Sequence, residues 1–215
     1  MKPRLFLVLG ILTTLLAVAP AYGQQWTGSI KIGGAVTNFS GNLASGNTDW
    51  DYRTGLAAGG ALGYDFGNGF IPQLEATYIR QGAAADVDFN GVPARIRSDL
   101  TYLAFPLLLQ YRFDTGGYVH PRFFAGPMVA FQLDAQLTFE ARQDGVEVTE
   151  PDDSIESRDF GAVAGAALEI DVADQRLSLE TRFFFGMTDI TKPDPDVGDT
   201  TLKNQGVVIL VGFVF

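Results

Sequence analysis

The sequence predicts an all-β chain, an eight-stranded antiparallel up-and-down transmembrane β-barrel with short turns at one end and long loops at the other. Three observations predict it. After residue 23, apolar and polar residues alternate with period two over most of the chain. The connections between these segments alternate between short and long. Aromatic residues gather at the segment ends, where a bilayer would have its two interfaces. Composition agrees and excludes much else. The chain has 215 residues, 47% hydrophobic and 19% charged, with 25 glycines and no cysteine. Without cysteine there is no disulfide framework, thiol nucleophile or cysteine-ligated zinc. The single histidine, His120, removes multi-histidine metal sites, and a formal charge of −10 argues against a nucleic-acid partner.

Residues 1–23 have the layout of a secretory signal peptide. Lys2 and Arg4 precede the apolar run Leu5 to Val18, and Ala21-Tyr22-Gly23 puts small residues before a cut at Gln24. An uncleaved helical anchor is the alternative, since Leu5 to Tyr22 approaches a spanning length. The domain expected to fold is then 24–215.

Eight alternating segments follow, at 27–37, 53–66, 70–88, 94–113, 118–142, 158–172, 176–189 and 202–215. In 53–66, Leu56, Ala58, Leu62 and Tyr64 oppose a face of glycine and alanine. In 118–142, Val119, Phe123, Ala125, Val129, Phe131, Leu133, Leu137 and Phe139 share one face. His120, Arg122, Gln132, Asp134, Gln136, Thr138, Glu140 and Arg142 fall largely on the other. In 158–172 the apolar face is Phe160, Ala162, Ala164, Ala166, Leu168 and Ile170. In 176–189 it is Leu177, Leu179, Thr181, Phe183, Phe185 and Met187. Short links fall at 67–69, 114–117 and 173–175, and long polar loops at 38–52, 143–157 and 190–201. Asn90-Gly91 marks a hairpin tip, both residues tolerating the positive φ of a type I′ turn. Pro72, Pro106, Pro121 and Pro127 fall inside segments, where a missing N–H calls for bulges or strand ends.

Which face points inward is not set by periodicity. A β-sandwich or a soluble lipocalin-like barrel alternates too. Two features favour the membrane reading. Glu75, Asp134, Glu169, Glu180 and Arg182 stand in mid-segment, where a narrow barrel would pair them in its lumen. Trp26, Tyr64, Phe66, Phe70, Phe113, Tyr118, Phe213 and Phe215 form one expected girdle; Phe39, Trp50, Tyr52, Tyr78, Phe139 and Phe160 form the other.

The last segment, Gln205-Gly-Val-Val-Ile-Leu-Val-Gly-Phe-Val-Phe215, ends the chain on an aromatic residue with Phe213 two before it. In this it resembles bacterial outer-membrane β-barrels, and the whole of 24–215 looks like the small porin-like or PorT-like group. The pattern departs from the group in having Leu210 and Val208 where glycine and a polar residue are usual. The resemblance implies the outer membrane of a Gram-negative cell, a lipid environment, and delivery by the barrel assembly machinery through the strand ending at Phe215.

Size then limits function. Sixteen strands of about ten residues would leave too little chain for the long loops, and eight strands leave an interior that side chains just fill. No open diffusion pore is expected. His120 lies beside the short turn 114–117, the periplasmic end, so it reads as a rim hydrogen-bonding residue rather than a base acting on outer-leaflet lipid. The acids Asp144, Glu147, Glu150, Asp152, Asp153 and Glu156, with Asp194, Asp196 and Asp199, have the oxygen chemistry for a divalent cation but lack EF-hand spacing, and read as solvated loops. No catalytic, cofactor-binding or metal-ligating residues are expected, and no cofactor. The expectation is a monomeric structural or interaction barrel acting through its extracellular loops. The alternatives are a barrel binding a surface partner or lipid, and a secreted soluble lipocalin-like carrier.

Overall fold

The computed structural model describes residues 26–42, 50–89, 92–141, 146–152, 154–173, 175–192 and 201–215. The expected targeting segment 1–23, the Asn90-Gly91 tip and the Asp194–Asp199 acids lie outside the described residues. The described strands are β1 (Trp26–Asn42), β2 (Asp51–Tyr64), β3 (Phe70–Phe89), β4 (Val92–Arg112), β5 (Val119–Ala141), β6 (Val146–Pro151), β7 (Arg158–Val172), β8 (Gln175–Gly186) and β9 (Thr201–Val214). Eight of them close an antiparallel barrel in the order β1-β2-β3-β4-β5-β7-β8-β9, with β9 pairing back onto β1. β6 stands apart, hydrogen-bonded to the far end of β5 from Gln136↔Pro151 to Ala141↔Val146. The region expected as the loop 143–157 therefore contains a strand. Val146 and Val148 alternate with Glu147 and Thr149, and β5 offers the free edge they need.

The wall is apolar on the outside. Ile32, Leu56, Leu74, Leu109, Phe123, Leu168, Phe183 and Ile209 are exposed, and they come from every one of the eight barrel strands. Their neighbours in sequence turn inward and are buried: Lys31, Glu75, Arg122, Glu169, Arg182 and Val208 among them. A soluble lipocalin-like carrier would have the opposite arrangement, so that alternative is set aside, as is the sandwich by closure of the sheet. A closed barrel leaves no unpaired backbone edge within the hydrocarbon.

The first girdle forms as expected. Trp26, Tyr64 and Phe66 make a run of edge-to-face rings with centroids 5.2 and 5.1 Å apart. Phe70, Tyr111, Phe113 and Phe123 continue it at 4.9, 4.7 and 5.9 Å. At the long-loop end the expectation needs correcting. Tyr52 and Phe160 are exposed, but Phe39 is buried with Trp50 against it, centroids 5.2 Å apart. Phe39 lies on the inward parity of β1, together with Ala35 and Thr37, so it fills the mouth with Ile155, Ile190 and Leu202 instead of facing lipid.

Two register shifts re-aim side chains. Between Tyr52 and Ala57, β2 carries one more residue than β3, and Thr37 of β1 compensates: its hydroxyl accepts from Gly82 N and donates to Gly82 O, both at 2.9 Å. In β5 the shift falls at Leu133, between the pairs Tyr102↔Gln132 and Thr101↔Asp134. It inverts the alternation, a bulge placing two residues opposite one. Ala135 thereby turns inward opposite Leu100, while Asp134 is exposed rather than in the lumen. Leu137 accordingly shares the inward parity of its partner Ser98 and leaves the face it was expected to share with Phe123 and Phe131.

The prolines do not mark these shifts. Pro72 and Pro121 lie near strand starts, as expected. Pro106 and Pro127 are in mid-strand without a change of register. They lie beside gaps in pairing, between Leu74↔Leu107 and Thr77↔Ala104 and between Pro106↔Met128 and Leu109↔Ala125.

Candidate functional site: an ion-paired lumen

Period-two alternation delivers six charged side chains to the lumen from five strands, two of them from β8. Lys31 of β1 donates to Glu75 Oε1 of β3 at 2.7 Å and to Glu180 Oε2 of β8 at 2.8 Å. Arg182, two residues further along β8, donates from Nη1 to Glu75 Oε2 at 2.7 Å and from Nε to Glu180 Oε1 at 2.6 Å. Its guanidinium sits 5.6 Å from the ring centroid of Phe124. Arg122 of β5 pairs with Glu169 Oε1 of β7 at 2.9 Å and approaches Glu180 Oε2 at 3.7 Å. Gln73 adds an amide donor to Glu75.

All six charged side chains are at most 5% exposed. Three cations face three carboxylates, so the cluster is neutral. Neutrality with many hydrogen bonds is what makes such burial tolerable, since a lone buried charge is very costly. Toward the short turns the network continues to the rim: Arg176 reaches Glu169 and Asp171, and Arg112 reaches Asp65 at 2.6 Å. Toward the long loops it gives way to apolar packing by Ile79, Tyr102, Ala104, Val163, Phe184, Val208 and Leu210.

The structure gathers Glu75, Glu169, Glu180 and Arg182 as expected and leaves out Asp134. It adds Lys31, which the sequence reading did not single out. The signal was available: Ser29, Lys31 and Thr37 share one parity on β1, opposite Ile30, Ile32 and Val36. His120 is half-buried at the rim with Nε2 3.1 Å from Asp171 Oδ2. No serine or threonine hydroxyl is hydrogen-bonded to its ring among the described residues, so no nucleophile–base pair forms there. Among the described residues no group of three or more His, Cys, Asp or Glu side chains is arranged to hold a metal ion.

A closed barrel, apolar outside and ion-paired inside, ringed by aromatic residues, is a membrane architecture. The family profile of the outer membrane protein beta-barrel domain matches residues 22–192. The chain belongs to this family. Its place is the cell outer membrane. The match ends before β9, the strand that closes the family's barrel in this chain.

Solved structures share the fold at low identity. The outer membrane protein AlkL, solved in lipid bilayers, is 17% identical with a TM-score of 0.51, over 93% of this chain and 94% of that one. OprG from Pseudomonas aeruginosa is 15% identical with a TM-score of 0.50, over 90% and 98%. Ail of Yersinia pestis, solved with the heparin analogue sucrose octasulfate, is 14% identical with a TM-score of 0.45, over 89% and 100%. Comparison with curated proteins gives no match.

Proposed function

We propose that this family member is a monomeric, non-enzymatic outer-membrane barrel whose lumen is sealed and whose work is done by its extracellular end. The observation that carries the reading is the Lys31–Glu75–Glu180–Arg182 cluster, which bridges β1, β3 and β8 across the lumen. The length of three strands supports the second half. β3, β4 and β5 run 20, 21 and 23 residues, about twice the 9–11 a tilted strand needs to span. Their outer ends, with β6, build a flange held by ion pairs: Arg95 to Asp51 at 2.5 Å and to Asp86 at 3.0 Å, and Arg97 to Glu140 at 3.6 Å and to Glu147 at 3.8 Å.

In this reading both termini lie in the periplasm. The last strand is then presented to the assembly machinery with Phe215 closing the seam, where Gly28 N donates to Phe215 O at 2.7 Å and Phe215 N to Gly28 O at 2.9 Å. The Phe215 ring lies over Gly28, where a Cβ would come within 2.4 Å of it. Planar-bilayer recording tests the sealed lumen. The wild-type protein should show no stable conductance steps, and sustained ohmic steps would overturn the reading.

A further inference from the structure

We propose that a groove on the outer wall around Arg80 binds the phosphate-bearing headgroup of a glycolipid in the outer leaflet. The groove, of about 480 Å³, is lined by Arg53, Thr54, Arg80, Thr101, Asp134 and Gln136 among others. That volume is within the range of small-molecule sites. It forms because the β2 and β5 register shifts flank β3 and β4 at one height. Gly55 lets the strands close beneath it, since a Cβ there would stand 2.0 Å from Arg80 O.

Its height is what selects the ligand. A strand crosses the hydrocarbon in about ten residues. Counted from the girdle residues Tyr64, Phe70 and Tyr111, that length ends at Thr54, Arg80 and Thr101, all in the groove. Leu56, Tyr78 and Leu103 lie just below on the outward parity, placed for acyl chains. Headgroups lie at this level.

The charges narrow the class further. Arg53, Arg95 and Arg97 at this end are each engaged by carboxylates. Arg80 is exposed and makes no ion pair or side-chain hydrogen bond among the described residues. A free guanidinium at headgroup level matches a phosphate. Asp99 and Asp134 on the same groove would repel a bare anion but accept from the hydroxyls of a sugar, which points to a phosphosugar. The proposal rests on the orientation given above, which protease accessibility tests separately.

Native mass spectrometry of the full-length protein in detergent tests the site, using bisphosphorylated lipid A, its dephosphorylated form and inorganic phosphate as probes. Wild type should retain one bisphosphorylated lipid, and Arg80→Gln should lose about tenfold in affinity. Arg95→Gln should leave retention unchanged, and both variants should keep the heat-modifiable gel shift of a folded barrel. Equal retention by Arg80→Gln or of the dephosphorylated lipid would overturn the proposal. So would Arg80-dependent capture of inorganic phosphate without preference for the lipid, which would assign the groove to a free anion.

Discussion

Lys31 and Glu180 meet inside the barrel with Nζ 2.8 Å from Oε2, although 149 residues separate them in sequence. Their strands are not neighbours: β9 lies between β1 and β8. The contact therefore crosses the lumen instead of running along the sheet, and Arg182 completes it by bonding Glu75 and Glu180 together. Removing one member strands the others. Arg182→Leu leaves two buried carboxylates with Lys31 as their main counter-charge, and breaking such a pair costs about 3–5 kcal/mol. The denaturation midpoint in lipid should fall clearly. An unchanged midpoint would mean that water already screens the cluster.

Thr37 closes the gap that the β2–β3 register shift leaves at Gly82. Thr37→Val keeps the shape and removes the hydroxyl, so a buried N–H and C=O lose their partner, at a cost of about 1–3 kcal/mol. Amide exchange at Gly82 should accelerate in Thr37→Val and recover in Thr37→Ser. Equal exchange in all three would show that the hydroxyl is not what satisfies this backbone.

Asp189 organises the loop after β8. Burial alone would raise its pKa, but donation from Thr191 N at 3.0 Å, Thr191 Oγ1 at 2.7 Å and Leu202 N at 3.0 Å holds its carboxyl below the ordinary 3.8. A depressed pKa adds stability that is present above the unfolded value and is lost as pH falls through the folded one. The Thr191 amide should therefore stay protected at pH 5 and lose protection below pH 3.8. Asp189→Asn should abolish that pH dependence, and a pH-dependent loss that persists in the variant would assign it elsewhere.

The connection lengths predict topology. Protease added to intact cells should cut within 143–157 and spare the turns at 67–69 and 114–117. Cleavage confined to those turns would reverse the orientation.

How far the sequence could be read is shown by particular residues. Alternation placed Leu179 and Phe183 on one face and Glu180 and Arg182 on the other, because period two is a property of the strand itself. It failed at Leu137 and Asp134, because a one-residue bulge flips every later side chain and Leu133 bears no local mark of one. Phe39 was misplaced for a different reason. Its parity was readable, but whether an inward aromatic at the mouth meets lipid or a returning loop depends on Trp50 and Ile190, which tertiary structure alone brings there. The short strand β6 was hidden in a loop rich in acids, since six residues show too little alternation to stand out.

The outward face of the barrel meets hydrocarbon. An arginine scan along Leu177, Leu179, Thr181, Phe183, Phe185 and Met187, with unfolding measured in lipid, tests it most directly. Depth should govern the cost: roughly 2–4 kcal/mol near the middle of the series and about 0–1 kcal/mol toward its ends. A flat profile, or a protein that folds equally well without lipid or detergent, would contradict it.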